Sequence, residues 1–287
     1  MMPNSSVVII GLPGSGKTTY LAALWHSVTS QELETKLKFG KLTLGNQNHL
    51  NTIASRWREA RVQDRTAITG DKIVSMNLAT ENGHCVDITF PDLPGELYQD
   101  ILSNRDCRSD LIDHFHSSGV LLFIHADTIE HPRWVFDDNQ LGLQCGLKEE
   151  TETPVEWQPN LAPTQVKVVD LLQVLSSPPL NVGVRKLAIM LSAWDKVEDE
   201  QLPPAEYVRQ KMPLLDQYLK HGTDCWNCRI FGLSAQGGDY DPADDTDTGS
   251  TEAEKLRELD APTSRIKLNG PESETHDLTI PLAWIIE

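Results

Sequence analysis

Basic residues are scarce in this chain. Lys and Arg number 25 against 42 Asp and Glu, a formal net charge of −17 over 287 residues. That imbalance excludes nucleic acid as the main partner, because tracking a phosphate backbone takes clustered Lys and Arg. It does not exclude one nucleoside triphosphate, since loop amides, a single Lys and a metal supply enough local positive potential. Cysteine is sparse as well. Five, an odd number without framework spacing, fit a reducing compartment, and a cytoplasmic location is expected. No apolar run is long enough to span a bilayer, so no membrane span is expected. The sequence opens almost at once into a strand-like run, which leaves no room for a signal peptide. The length suits one large domain over residues 1–287 with a sizeable core.

What is present announces itself at residues 7–18. The apolar run Val7-Val8-Ile9-Ile10 leads into Gly11-Leu12-Pro13-Gly14-Ser15-Gly16-Lys17-Thr18, which completes the pattern G-x-x-x-x-G-K-[ST]. Leu21, Leu24 and Val28 then fall on one face of a predicted helix over 18–28. A buried strand, a Gly-rich loop and a helix make an anion cradle, because loop amides and the helix N-terminus point at phosphate oxygens. Lys17 reaches the β- and γ-phosphates, and the Thr18 hydroxyl ligates Mg²⁺.

A second phosphate element follows a hairpin. The runs 72–79 and 85–90 flank Glu81-Asn82-Gly83-His84, where Asn-Gly marks a tight turn. The second run ends in Asp92-Leu93-Pro94-Gly95-Glu96. A carboxylate at the C-terminal end of a strand beside the first loop is placed to hold Mg²⁺. Gly95, without a Cβ, lets its amide approach a γ-phosphate, and loss of that contact on hydrolysis would release the segment that follows.

Further along, strands are predicted at 37–44, 119–126, 186–192 and 229–233, and helices at 48–60, 96–117, 164–175, 204–220 and 278–286. Alternation of strands and helices gives an α/β sheet, mostly parallel, with an antiparallel strand at the hairpin edge. Residues 128–163, rich in Pro, Trp and acid, read as a surface insertion. Residues 239–274 are acidic and rich in Ser, Thr, Asp and Pro, and read as a flexible segment. Cys225-Trp226-Asn227-Cys228 is a lone C-x-x-C; His221 is near, but a fourth ligand is missing, so two ordinary cysteines at a strand start is the better reading.

Taken together, the two phosphate motifs resemble those of the translation-factor-like (TRAFAC) class of P-loop GTPases. That resemblance implies a mixed, mostly parallel six-stranded sheet with helices on both faces. It implies GTP and GDP as ligands, with Mg²⁺. The class reads guanine with Asn/Thr-Lys-x-Asp; here Ser192-Ala193-Trp194-Asp195-Lys196 stands in that place. Asp195 matches the carboxylate that accepts from guanine's two N–H groups, while Ser192 and Ala193 replace the usual Asn and Lys. Two readings stand for Trp194: it packs on the base, or it is core and Asp195 merely caps a helix. Ser234-Ala235-Gln236 matches the element whose backbone amide meets guanine O6. The switch-loop Thr that ligates Mg²⁺ falls to Thr66 or Thr69, with Thr66 the first choice. Arg65 or Arg61 is a candidate internal arginine finger. Glu96 holds the position where small GTPases place a water-orienting Gln; a carboxylate there implies slow hydrolysis or dependence on a partner, or else only starts a helix.

More narrowly, Gly-Leu-Pro-Gly-Ser-Gly-Lys-Thr-Thr through Thr19, Asp-Leu-Pro-Gly-Glu, Ser-Ala-Trp-Asp-Lys and Pro281-Leu282-Ala283-Trp284 are similar to the double-GTPase families of bacterial conflict systems. The implied role is a nucleotide-gated regulator of a protein partner or effector in phage defence. A P-loop ATPase or kinase, and a module that holds GTP without turnover, are the competing readings.

Overall fold

The structure is a computed structural model that describes residues 5–42, 47–63, 72–83, 85–92, 101, 109–133, 144, 158–242 and 251–287. Its centre is five parallel strands. β1 (Ser5–Gly11) lies between β4 (Cys85–Asp92) and β5 (Gly119–His125), and β6 (Arg185–Ser192) and β7 (Trp226–Ser234) follow β5 outward. Beyond β4 the sheet continues antiparallel through β3 (Lys72–Ala79) and β2 (Lys38–Leu42). Beyond β7 it continues antiparallel through β8 (Lys267–Asn269) and β9 (Glu274–Thr275). The central strands are apolar at almost every position because both of their faces are covered.

Side-chain alternation divides the core in two. Val7, Ile9, Leu121, Phe123 and Met190 face α1 (Lys17–Ser30), α2 (Gln47–Arg58) and α8 (Ile280–Ile286). Val8, Ile10, Leu122, Ile124 and Leu191 face α3 (Ser109–Phe115), α4 (Thr164–Leu175), α5 (Pro204–Lys211) and α6 (Pro213–His221). A third, small cluster joins Ala60, after α2, to α7 (Thr251–Arg257) through Ala253 and Leu256.

Polar ties hold both layers. On the α3–α6 side, buried Arg185 donates to the carbonyls of Phe115 and Leu175, the last residues of α3 and α4, and stacks 4.9 Å from the Trp226 ring centre. One guanidinium thus serves two helix C-termini, where unpaired carbonyls favour a cation. Burial pulls its pKa down to about 10, and it remains charged at neutral pH. On the opposite side, the hydroxyl of fully buried Tyr20 donates to Leu278 O at 3.1 Å. That bond fixes the segment leading into α8.

The architecture expected from sequence holds: an α/β fold on a mixed, mostly parallel sheet with helices on both faces. The strand number does not. The sheet has nine strands among the described residues, not six. β8 and β9, of three and two residues, arise from the stretch expected to be flexible. Elements that short carry no readable alternation, and their stability comes from pairing with β7 and with each other. α7 lies in the same stretch; residues 243–250 are outside the described set. The helix expected over 204–220 is two helices. Pro213 forces Met212 out of helical geometry, to φ −134° and ψ 61°. Of the predicted helix over 96–117, residues 109–115 are seen as α3. The ends of the 128–163 insertion are pinned together: Glu130 N donates to Thr164 Oγ1 at 2.9 Å, and Thr164 N donates to Glu130 O at 3.0 Å.

Gly232 in β7 is required by a side chain rather than by the backbone. A Cβ there would lie 2.5 Å from Cδ2 of Trp194. Gly232→Ala is expected to displace the indole and lower unfolding stability by about 1–3 kcal/mol, the usual cost of overpacking, as measured by urea denaturation.

Candidate nucleotide-binding site

The C-terminal ends of the parallel strands converge on one edge of the sheet, the usual ligand position in open α/β folds. β1 delivers the Gly-rich loop there. Gly14 and Gly16 adopt φ of 72° and 82°, the left-handed region where a Cβ is costly, and Gly16 is the N-cap of α1. The loop also presses against its neighbours. A Cβ at Gly11 would come within 2.5 Å of Phe123 O, and one at Gly16 within 3.0 Å of Ser192 Cβ. Ser15 is buried at the bottom of the turn, its N–H donating to Leu12 O at 3.2 Å. Lys17 folds back over the loop. Its ammonium donates to Gly11 O at 2.8 Å and Leu12 O at 2.9 Å. Pro13 and Gly14 are exposed, and Thr18 and Thr19 sit half-buried in the first turn of α1. The cradle fits a polyphosphate, because a left-handed, Cβ-free loop at a helix N-terminus turns its amides toward an anion.

A cavity of about 240 Å³ opens beside the loop. It joins residues that lie far apart in sequence: Gly16 and Thr19 from the loop and α1, Asp195 and Lys196 after β6, Ala235 and Gln236 after β7. Ser234 is buried behind it, at the end of β7. The predicted phosphate and base elements therefore share one site.

The stretch after β6 resolves the two readings of Trp194. Ala193 is left-handed, at φ 52°, and is the N-cap of a 3₁₀ turn over Trp194–Glu200, with no capping side chain. Asp195 is therefore not the cap, and it lines the cavity. Trp194 is buried, packs edge-on to Tyr207 with centroids 5.2 Å apart, and covers Gly232. It is core, and the alternative in which it packs on a base is set aside. Ser192 does something else. Its hydroxyl donates to Ser15 O at 2.9 Å, tying β6 to the bottom of the phosphate loop.

Several cavity residues were not anticipated as site residues. His125, the last residue of β5, and Asp127, in the 3₁₀ turn after it, both line it. So does Asp239, which pairs with Lys196 at 2.7 Å across the rim and raises the pKa of the Lys196 ammonium through that hydrogen bond. Trp57 in α2 acts from behind. Its indole N–H donates to Ala235 O at 2.8 Å, and the Arg265 guanidinium stacks on its ring at 3.8 Å. The chain leaving α2 is then zipped to the chain leaving this loop: Asp241 N donates to Ala60 O at 2.9 Å, and Val62 N to Asp241 O at 2.8 Å. The strand predicted over 119–126 puts His125 and Asp127 at a strand end, the one signal the sequence carries for them; Asp239 and Trp57 carry none.

Asp92 closes β4, in register with Lys72, at the same sheet end as the loop. Arg61 forms a bridge with Asp241. Thr66, Thr69, Arg65, Gly95 and Glu96 lie outside the described residues. Cys225 and Cys228 sit at the far end of β7, and burial pushes the Cys228 thiol up to about 12. Among the described residues no group of three or more His, Cys, Asp or Glu gathers to hold a metal, and none of the helices is long and apolar enough to cross a membrane.

The family model for Double-GTPase 1 matches residues 8–285. The chain belongs to the Double-GTPase 1 family. The match runs from β1 into α8 and spans the stretches that carry both predicted phosphate motifs and both predicted base elements, and the expected double-GTPase resemblance is correct. Among solved structures, the chain is similar to the S. cerevisiae Ski7 GTPase-like domain bound to GTP, with 15% identity and a TM-score of 0.41, over 88% of this chain and 49% of that one. This chain thus spans about half the length of that structure. No curated protein matches it.

The Ser192 tie makes a direct prediction. Ser192→Ala leaves the buried carbonyl of Ser15 without this donor. It is expected to lower unfolding stability by about 1 kcal/mol in urea denaturation, the net worth of one such bond.

Proposed function

We propose that this chain binds GTP and Mg²⁺, hydrolyses GTP slowly on its own, and acts as a switch that regulates a protein partner or effector in a bacterial defence system. One observation carries the nucleotide part. Gly16 of the loop and Thr19 of α1 share a single cavity with Asp195 and Ala235. Family membership supports the choice of guanine. Phosphates lie in the loop, held by its amides and by Lys17, whose ammonium exchanges carbonyl partners for phosphate oxygens. Asp195 accepts from N1–H and N2–H₂ of guanine, a pair of donors that adenine does not offer. The Ala235 amide donates to O6, and the Trp57 bond to the Ala235 carbonyl holds the peptide that follows it, which restrains Ala235 from the other side.

Thr18 and Asp92 would hold Mg²⁺, with Thr66 as the switch-loop ligand; the ion, when bound, neutralises charge on the β- and γ-phosphates. The Gly95 amide senses the γ-phosphate. Glu96 orients water poorly because its charge repels the γ-phosphate, which is the basis for slow turnover and for a partner that accelerates it. Arg65 supplies compensating charge from the switch loop. The acidic stretches 128–163 and 239–274 supply charge for the partner or serve solubility alone.

Titration with fluorescent GTP, GDP and ATP in Mg²⁺, followed by phosphate release, tests this reading. Selective guanine binding is expected, weakened about 10- to 100-fold in Asp195→Asn, the loss of hydrogen bonds to a charged acceptor. Lys17→Ala is expected to abolish hydrolysis. ATP binding as tight as GTP, and indifferent to Asp195, would replace the GTPase with a P-loop ATPase or kinase. Selective binding with no phosphate release, alone or with candidate partners, would leave a module that only holds GTP.

A further inference from the structure

His125 ends β5 at the cavity, in register with Ser192 of β6. Neither nitrogen of its ring has a hydrogen-bond partner among the described residues, and Nδ1 alone of the two is fully enclosed. A buried polar atom without a partner calls for an explanation, and the enclosure of Nδ1 decides the tautomer. A proton on Nδ1 would bury a donor with nothing to receive it, which costs more than an unfilled acceptor lone pair. The proton therefore sits on Nε2, and the imidazole is a one-donor group on the wall of a nucleotide cavity.

Guanine presents four polar groups besides its sugar nitrogen and N3: the donors N1–H and N2–H₂, and the acceptors O6 and N7. On the GTP reading, Asp195 takes both donors and the Ala235 amide takes O6. N7 is left. Ser192, the nearest hydroxyl on β6, has its proton engaged with Ser15 O. The Ala193 side chain carries no polar atom, and Lys196 is paired with Asp239. We propose that His125 donates its Nε2–H to N7 of the bound purine. The contact adds affinity rather than choice, because adenine carries the same N7 acceptor; selection of guanine stays with Asp195. This proposal rests on the GTP reading above.

Fluorescent GDP and its 7-deaza analogue, which has C–H in place of N7, separate the possibilities. The wild-type chain should bind the 7-deaza analogue about five- to tenfold more weakly, the value of one hydrogen bond. His125→Phe, which keeps a ring of similar size without a donor, should bind both ligands equally, at the weaker level. His125→Gln, which restores a donor, should recover part of the preference for GDP. Equal binding of the two ligands by the wild-type chain overturns the proposal without any variant. So does a His125→Phe protein that keeps the wild-type preference. A thermal melt without nucleotide reports whether each variant is folded. Failure of the GTP reading itself looks different: the wild-type chain would then fail to prefer GDP over ADP, and Asp195→Asn would change nothing.

Discussion

The site depends on how closely the phosphate loop lies against the ends of β5 and β6. At Gly11 and Gly16 there is room for hydrogen and little else, with Phe123 O and the Ser192 side chain occupying the space a Cβ would need. This contact does more than spare a steric clash. It brings the Ser192 hydroxyl within 2.9 Å of Ser15 O, so the strand that leads to Asp195 is bonded to the Gly-rich loop. On the proposed reading, the distance between the phosphate and base ends of a nucleotide is thereby set by backbone and one hydroxyl, not by mobile side chains. Preorganisation of this kind lowers the ordering cost of binding.

A second set of bonds extends that rigidity to the loop after β7. Trp57 holds the Ala235 carbonyl, Arg265 lies on Trp57, and Asp241 is zipped to Ala60 and Val62. Arg265 is itself buried, and its carbon stem lies against Gly237, where a Cβ would fall 2.7 Å from Arg265 Cβ. The chain that enters residues 64–71, which include Thr66 and Arg65, therefore starts from an anchor on the loop after β7. The base end and the stretch expected to carry the switch-loop threonine share one physical support.

The sequence made the centre of this arrangement readable and its periphery opaque, for physical reasons. The Gly-rich loop has a fixed spacing because left-handed turns, a helix start and a Lys must coincide, so Gly11 through Thr18 could be placed on the page. Asn82-Gly83 placed β3 against β4 because few dipeptides suit so tight a turn; Gly83 has φ 77°. Trp57 read only as one apolar residue on a helix face, since nothing local says where an indole N–H will point. Trp194 looked available to a base, and only the bare backbone of Gly232, about forty residues later, reveals the slot it fills. β8 and β9 were hidden because runs of three and two residues show no alternation, and β7, the strand that anchors the pair, lies more than thirty residues before β8. In each failure the deciding contact was long-range.

Charge gives the cavity a direction. Asp127, Asp195 and Asp239, none of them from the Gly-rich loop, line it, with Lys196 already paired to one of them. The loop side offers amide N–H groups, the N-terminus of α1 and Lys17. On the proposed reading, a nucleotide entering with its phosphates toward the carboxylates is repelled over only a few ångströms, well inside the screening length of about 8 Å at physiological salt, so salt does not erase the preference. Entering the other way, its phosphates meet donors and its guanine donors meet Asp195. The acidic excess of the whole chain is unfavourable to polyanions in general, and on the proposed reading the short backbone of the Gly-rich loop offsets it locally for phosphate. Selectivity for a single triphosphate over a long nucleic acid follows from that confinement, because a polymer would need many such places.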